Sequence, residues 1–138
     1  MAPDNVIRIA AALITRPDGQ ALLVRKRGTA IFMQPGGKIE TGEAPVAALC
    51  RELAEELGLV VAPSEPVHLG RFAAPAANEP GHQVQAEIFR LQITATVVPA
   101  AEIAEIAWVD PRAPGALQIA PLSREQVLPL AWQDRAQR

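Results

Sequence analysis

The chain has no tyrosine, and its aromatic content is two tryptophans and three phenylalanines, so any core it builds is aliphatic. It has one cysteine, Cys50, which excludes a disulfide framework; a lone cysteine in such a context reads as a small buried hydrophobe. No apolar run approaches the roughly 18 residues that span a bilayer, and the N-terminus shows no signal-peptide pattern. The expectation is therefore a cytoplasmic protein without a membrane partner. Positive charge is not in excess. With 13 Lys and Arg against 15 Asp and Glu, a net charge of −2, there is no basic stripe to displace counterions from a nucleic-acid polymer. The two histidines, His68 and His82, stand isolated and receive no role. What is present is ample apolar material, 49% of 138 residues with 20% charged, enough for one folded domain over residues 1–138.

Along the chain, residues 5–14 form an apolar run suited to a buried strand. A turn at Arg16-Pro17-Asp18-Gly19 and a second strand near 20–25 complete a hairpin. Residues 31–34 lead into Pro35-Gly36-Gly37, with Lys38-Ile39 extended. Residues 67–72 read as strand, 73–81 as an exposed loop, 82–94 as a longer strand and 105–109 as another. Ser123-Arg124-Glu125-Gln126 has the form of a capping box opening a helix, which Pro129 should kink or interrupt. Strands interleaved with two helices predict an α/β or α+β domain, a mixed sheet covered on both sides.

The most specific signal is Gly37 to Leu59, GKIETGEAPVAALCRELAEELGL. Pro45 suits a first helical position and Gly58 the residue after the last turn. Val46, Leu49, Leu53 and Leu57 form an apolar stripe with Cys50 at its edge. Glu52, Glu55 and Glu56 stand at i, i+3 and i+4 and so project from one helix face. Three carboxylates this close repel one another, and an all-oxygen cluster calls for a hard divalent cation, Mg²⁺ or Mn²⁺. The competing reading is a solvated acidic face paired with Arg51. Such a face normally mixes in lysines at i+4, and this helix has none.

The segment resembles the Nudix box: glycine, any five, Glu, any seven, then Arg-Glu-aliphatic-any-Glu-Glu-any-Gly-aliphatic. Every specified position is met, over 23 of 138 residues. The resemblance implies the Nudix fold, an α/β/α sandwich with the box as a strand-loop-helix unit. It implies Mg²⁺-dependent or Mn²⁺-dependent hydrolysis of a nucleotide diphosphate linkage, with Glu52, Glu55 and Glu56 as metal ligands beside a peptide carbonyl at Gly37. Either Glu52 or a glutamate outside the box serves as the base. Arg51 and Glu43 are implied to pair and fix the loop against the helix. A further metal ligand in MutT-like members lies six residues before the tryptophan of a late strand, which here is Glu102 before Trp108; Glu87 is a second carboxylate that alternation could turn to the cleft. Cations for substrate phosphates are sought in Arg25 and Arg27, which alternation sets opposite Lys26, and in Lys38. The strand cations could equally blunt a sheet edge.

Substrate choice lies outside the box. Diadenosine-polyphosphate hydrolases of the family carry a tyrosine that this chain lacks. ADP-ribose hydrolases carry a proline about fifteen residues after the box, and Pro75 falls sixteen after Leu59. Pro35-Gly36-Gly37-Lys38-Ile39-Glu40 is similar to MutT-type nucleoside triphosphate hydrolases, in which an asparagine at the C-terminal helix reads the purine. Ser123 takes that place here, and a hydroxyl cannot reproduce an amide's paired donor and acceptor. The expected reaction is a nucleoside triphosphate cleaved to monophosphate and pyrophosphate. The alternatives are hydrolysis of a nucleoside diphosphate sugar such as ADP-ribose, or a nucleotide sensor without turnover, which the intact set of box acids disfavours. Many relatives pair as dimers, which is a prior for a homodimer and nothing stronger.

Overall fold

The first strand sets the architecture because its residues are apolar on both faces, the mark of a strand buried between two layers. A computed structural model describes residues 5–76 and 79–132. It contains β1 (Val6–Thr15), β2 (Ala21–Lys26), β3 (Phe32–Met33), β4 (Gly36–Lys38), α1 (Pro45–Leu57), β5 (Val67–Pro75), β6 (Gln83–Gln92), β7 (Ile103–Val109) and a C-terminal π-helical turn, α2 (Leu122–Val127). The seven strands form one mixed sheet with order β3-β2-β1-β6-β5, β4 pairing with β1 and β7 with β2. β1 and β6 run parallel over ten residue pairs, from Val6↔Gln83 to Thr15↔Gln92. The hairpin expected at Arg16 to Gly19 joins β1 to β2, with Gly19 at φ 87°.

Alternation then divides the core. Ala10, Ala12 and Ile14 of β1 face Leu49, Leu53 and Leu57 of α1. Ala11 and Leu13 face the other way, toward Leu122, Val127 and Leu128 around α2. One helix therefore covers each face of the sheet, the sandwich the sequence predicts.

Pro45 occupies the first turn of α1, and Gly58 ends it at φ 67°, donating its N–H to the Ala54 carbonyl. No side chain caps the helix N-terminus, where Ala44 stands. Two expectations are corrected. β5 continues through Pro75, so the loop predicted over 73–81 starts later; Ala77 and Asn78 of that loop lie outside the described residues. The capping box at Ser123 does not form, because the helical turn opens at Pro121–Leu122 and Ser123 lies inside it. Leu128 donates to the Ser123 carbonyl at 2.8 Å, an i to i−5 bond. Pro129 follows at once, and its missing N–H and bulky ring oppose a regular α-turn there.

Candidate active site

Two glycines let β4 pack closely on both sides, Gly36 against the β1 backbone and Gly37 against α1. An added Cβ on Gly36 would lie 2.1 Å from the Ala10 carbonyl oxygen, and one on Gly37 would lie 2.4 Å from Glu52 Cδ. Gly36 also holds φ 150°, a conformation side chains rarely adopt. The Gly36 N–H donates to Glu56 Oε1 at 3.2 Å. Glu52 therefore lies over Gly37 while Glu56 is tied to Gly36, both at the β4 side of the helix.

The three box acids differ in environment. Glu56 is 4% exposed, Glu52 half-buried and Glu55 exposed. Burial pushes the Glu56 carboxyl up to about 8; nearby Glu52 adds to this, while the Gly36 N–H and Lys26 oppose it. Glu52 Oε2 accepts from Arg51 Nη1 at 2.6 Å. Among the described residues no group of three or more His, Cys, Asp or Glu is gathered closely enough to hold a metal ion. The expected three-carboxylate cluster is thus not drawn together: Arg51 takes Glu52, the glycine loop takes Glu56, and Glu55 points to solvent.

Arg51 is the brace of the loop. Its Nε and Nη2 donate to the two carboxylate oxygens of Glu43, each at 2.9 Å, and Nη2 also reaches the Lys38 carbonyl at 3.1 Å. The hydrogen bonds from Arg51 and from the Glu40 N–H hold the Glu43 carboxyl down to about 2. Burial pushes the Cys50 thiol up, in keeping with an unreactive side chain on the helix flank.

Alternation separates the strand cations as expected, but the one beside the box acids is Lys26, not Arg25 or Arg27. Arg25 donates to Glu105 at 2.9 Å and to the Thr29 carbonyl at 2.8 Å, and Arg27 donates to the Ala101 carbonyl at 3.3 Å. The β2–β7 pairing shifts register between Arg25 and Lys26. Lys26 is the strand cation that acts on Glu56, and its Nζ lies 4.0 Å from Glu102 Oε2. Glu102 is exposed, yet its chain is pinned near the box, since the Ala100 N–H donates to the Glu56 carbonyl at 2.9 Å. Lys38 is exposed.

Ser123 is 2% exposed, and its hydroxyl accepts the Gln34 N–H at 3.2 Å, so it is not free in a groove. Glu87 is also buried, but it binds His68 at 2.8 Å and Arg71 at 2.6 Å. His68 is therefore not isolated. The β5–β6 register that unites these three is invisible in sequence, whereas Lys26 follows from alternation, which sets it on the face of Leu22 and Val24 that packs against α1. A cleft of about 570 Å³ between Arg16, Arg90, Arg112 and Trp132 opens at the hairpin end of the sheet and includes no box residue.

A family model described as NUDIX domain matches residues 6–131. The chain belongs to the NUDIX family. It is 38% identical over 75 residues to an 8-oxo-dGTP diphosphatase of Haemophilus influenzae, a match covering 51% of this chain and 55% of that protein. It is 32% identical over 69 residues to phosphatase NudJ of Escherichia coli, covering 49% and 45% respectively. The matched stretch thus spans about half the length of these curated relatives. The solution structure of the Escherichia coli ORF135 protein superposes with a TM-score of 0.75 at 26% identity, over 97% of this chain and 94% of that one. A MutT protein from Methanosarcina mazei Go1 superposes with a TM-score of 0.76 at 21% identity, over 98% and 99%, a likeness of fold. NUDIX hydrolases generally use divalent metal ions, and among the described residues no helix is long and apolar enough to cross a membrane.

Proposed function

We propose that the protein is a Mg²⁺-dependent pyrophosphohydrolase that cleaves a nucleoside triphosphate to the monophosphate and pyrophosphate. The observation that carries this reading is the pairing of buried Glu56 with Glu52 against the glycine loop. Burial and the neighbouring carboxylate together raise Glu56 to about 8. Two carboxylates arranged so that one must keep its proton near neutral pH are a donor set that a hard cation satisfies better than a proton does. The residues present therefore fit the metal ion: Glu52 and Glu56 as the main ligands, Glu55 and Glu102 as exposed acids able to swing toward it, and a carbonyl of the Gly36-Gly37 loop beside them. A bound Mg²⁺ would neutralise phosphoryl oxygens and acidify a water.

The protein's own groups divide the remaining work. Arg51, held at two points by Glu43, fixes the loop and limits where Glu52 can go. Lys26, within reach of both Glu56 and Glu102, is the cation for substrate phosphate; Lys38, at the end of β4, is exposed. Arg25 and Arg27 support this strand end through β7 and the residues before it. The diphosphatase named among the relatives supports the triphosphate reading over a diphosphate sugar.

A panel of nucleoside triphosphates and nucleoside diphosphate sugars, incubated with Mg²⁺ and resolved by chromatography, tests the proposal. It predicts pyrophosphate and a nucleoside monophosphate in equal amounts. Sugar phosphate from the second group, with the triphosphates intact, would overturn it.

A further inference from the structure

The turn that leads into β7 is the one place among the described residues where a residue other than glycine holds a positive φ, Ala101 at 54°. The Ile103 N–H donates to the Ala100 carbonyl at 3.0 Å, which closes a four-residue turn with Ala101 and Glu102 at its corners. Positive φ at the first corner and not at the second is the type II′ pattern, and glycine is the residue that takes that corner without cost. An alanine there is costly. Packing of the turn's own side chains does not offset the cost, since Ala100 and Ala101 are exposed and the Glu102 side chain is 78% exposed. A conformation kept against its cost is fixed by its surroundings, and such residues gather at functional sites.

The turn is held from both sides. On one side the end of α1 grips the chain: the Glu56 carbonyl accepts the Ala100 N–H at 2.9 Å, and the Leu57 carbonyl accepts the Val98 N–H at 3.4 Å. These are carbonyls that a helix end leaves without intrahelical partners. On the other side Arg27 takes both corner carbonyls, its N–H donating to that of Glu102 at 2.8 Å and its Nε to that of Ala101 at 3.3 Å. The sheet is irregular at the same place. Arg25 pairs with Glu105 and Lys26 with Ile103, so Ala104 is passed over, and a bulge of this kind re-aims the side chains beside it. Glu102 therefore combines a fixed main chain with a loose carboxylate, whose Oε2 lies 4.0 Å from Lys26 Nζ.

We infer that Arg27 and the left-handed corner at Ala101 are positioning residues, which hold the main chain of Glu102 so that its carboxylate meets a divalent cation seated at Glu56. This rests on the metal-dependent reading above, in which Glu102 is one of the exposed acids that turn to the ion. Arg27 acts only through the turn. Without its side chain the Ala101 carbonyl loses a donor, and the corner has one restraint fewer against relaxing to negative φ, which would redirect the residue that follows.

Mn²⁺ titrations of the full chain without nucleotide, followed by electron paramagnetic resonance, test this independently of turnover. Glu102→Gln should weaken binding by about tenfold and Arg27→Ala by about threefold or more. The double variant should bind no more weakly than Glu102→Gln alone, because a residue that acts through Glu102 then has nothing left to position. Ala101→Gly, which adopts the same φ, should bind within about twofold of wild type. Ala101→Val, whose branched side chain disfavours that φ, should lose about as much as Glu102→Gln. Arg27→Met, which keeps the apolar stem, repeats the measurement if alanine lowers the melting temperature. Wild-type affinity in Arg27→Ala, in Ala101→Val or in Glu102→Gln overturns the inference, and so do losses at Arg27 and Glu102 that add in the double variant. Glu56→Gln separates this outcome from failure of the metal reading. Equal Mn²⁺ binding by wild type and Glu56→Gln would defeat that reading and the inference together, whereas binding lost in Glu56→Gln with additive losses at Arg27 and Glu102 would overturn the inference alone.

Discussion

At Glu56 a carboxyl group lies 4% exposed against the Gly36 N–H, and its pKa is raised to about 8, first by burial and further by Glu52. A folded-state pKa above the ordinary 4.5 means the folded chain holds the proton more tightly than the unfolded chain. This contribution to stability is complete below the unfolded pKa and is lost as pH rises through about 8. Glu56→Gln mimics the protonated form. In EDTA it should melt at a higher temperature than wild type at about pH 9 and at nearly the same temperature at about pH 5. Its hydrolytic activity with Mg²⁺ should fall by about a hundredfold or more. Differential scanning fluorimetry and a pyrophosphate-release assay read the two effects, and wild-type activity in this variant would contradict the role assigned to Glu56. The residue's identity was legible from the spacing of the box. Its burial was not, because periodicity places Glu52, Glu55 and Glu56 on one face without showing that β4 closes over one edge of it.

The unit from β4 to α1 puts the two glycines to different uses, and single alanines should separate them. At Gly36 an added Cβ meets the Ala10 backbone at 2.1 Å and the residue keeps φ 150°, so neither partner can yield. Gly36→Ala should destabilise the fold by about 2 kcal/mol or more, seen as a lower urea midpoint. At Gly37 the obstacle is the Glu52 side chain, which can rotate away. Gly37→Ala should keep most of its stability and lose activity, because the displaced group is the carboxylate that the metal needs. Equal loss of stability in both variants would contradict this division. The sequence foretold the helix start at Pro45 and its end at Gly58. It did not foretell the register shift in the β2–β7 pairing after Arg25, nor the π-turn before Pro129, since both depend on neighbours distant in the chain.

Over the whole molecule, the fold was readable because β1 and β2 are apolar on both faces and the two helices each have one apolar side. Contacts made by pairing distant strands were not. Glu87 binds His68 and Arg71 only because β5 lies antiparallel to β6 in that register. Burial pushes the Glu87 carboxyl up, but the hydrogen bonds from Arg71 and His68 outweigh it and leave it below the ordinary range. A lowered pKa stabilises the fold above the unfolded value near 4.5 and is lost as pH falls through the folded value. Glu87→Gln should therefore be less stable than wild type at neutral pH by about 1 kcal/mol, Arg71 and His68 being partly exposed, and the gap should close in acid. Chemical denaturation at several pH values checks this; a gap that widened in acid would contradict it. The claim on which the functional reading depends is that the box acids cradle a divalent cation beside the glycine loop. Anomalous diffraction from crystals soaked in Mn²⁺ tests it most directly. The prediction is a peak between Glu52 and Glu56, absent in Glu56→Gln, and the contradicting result is no peak there with both carboxylates ordered.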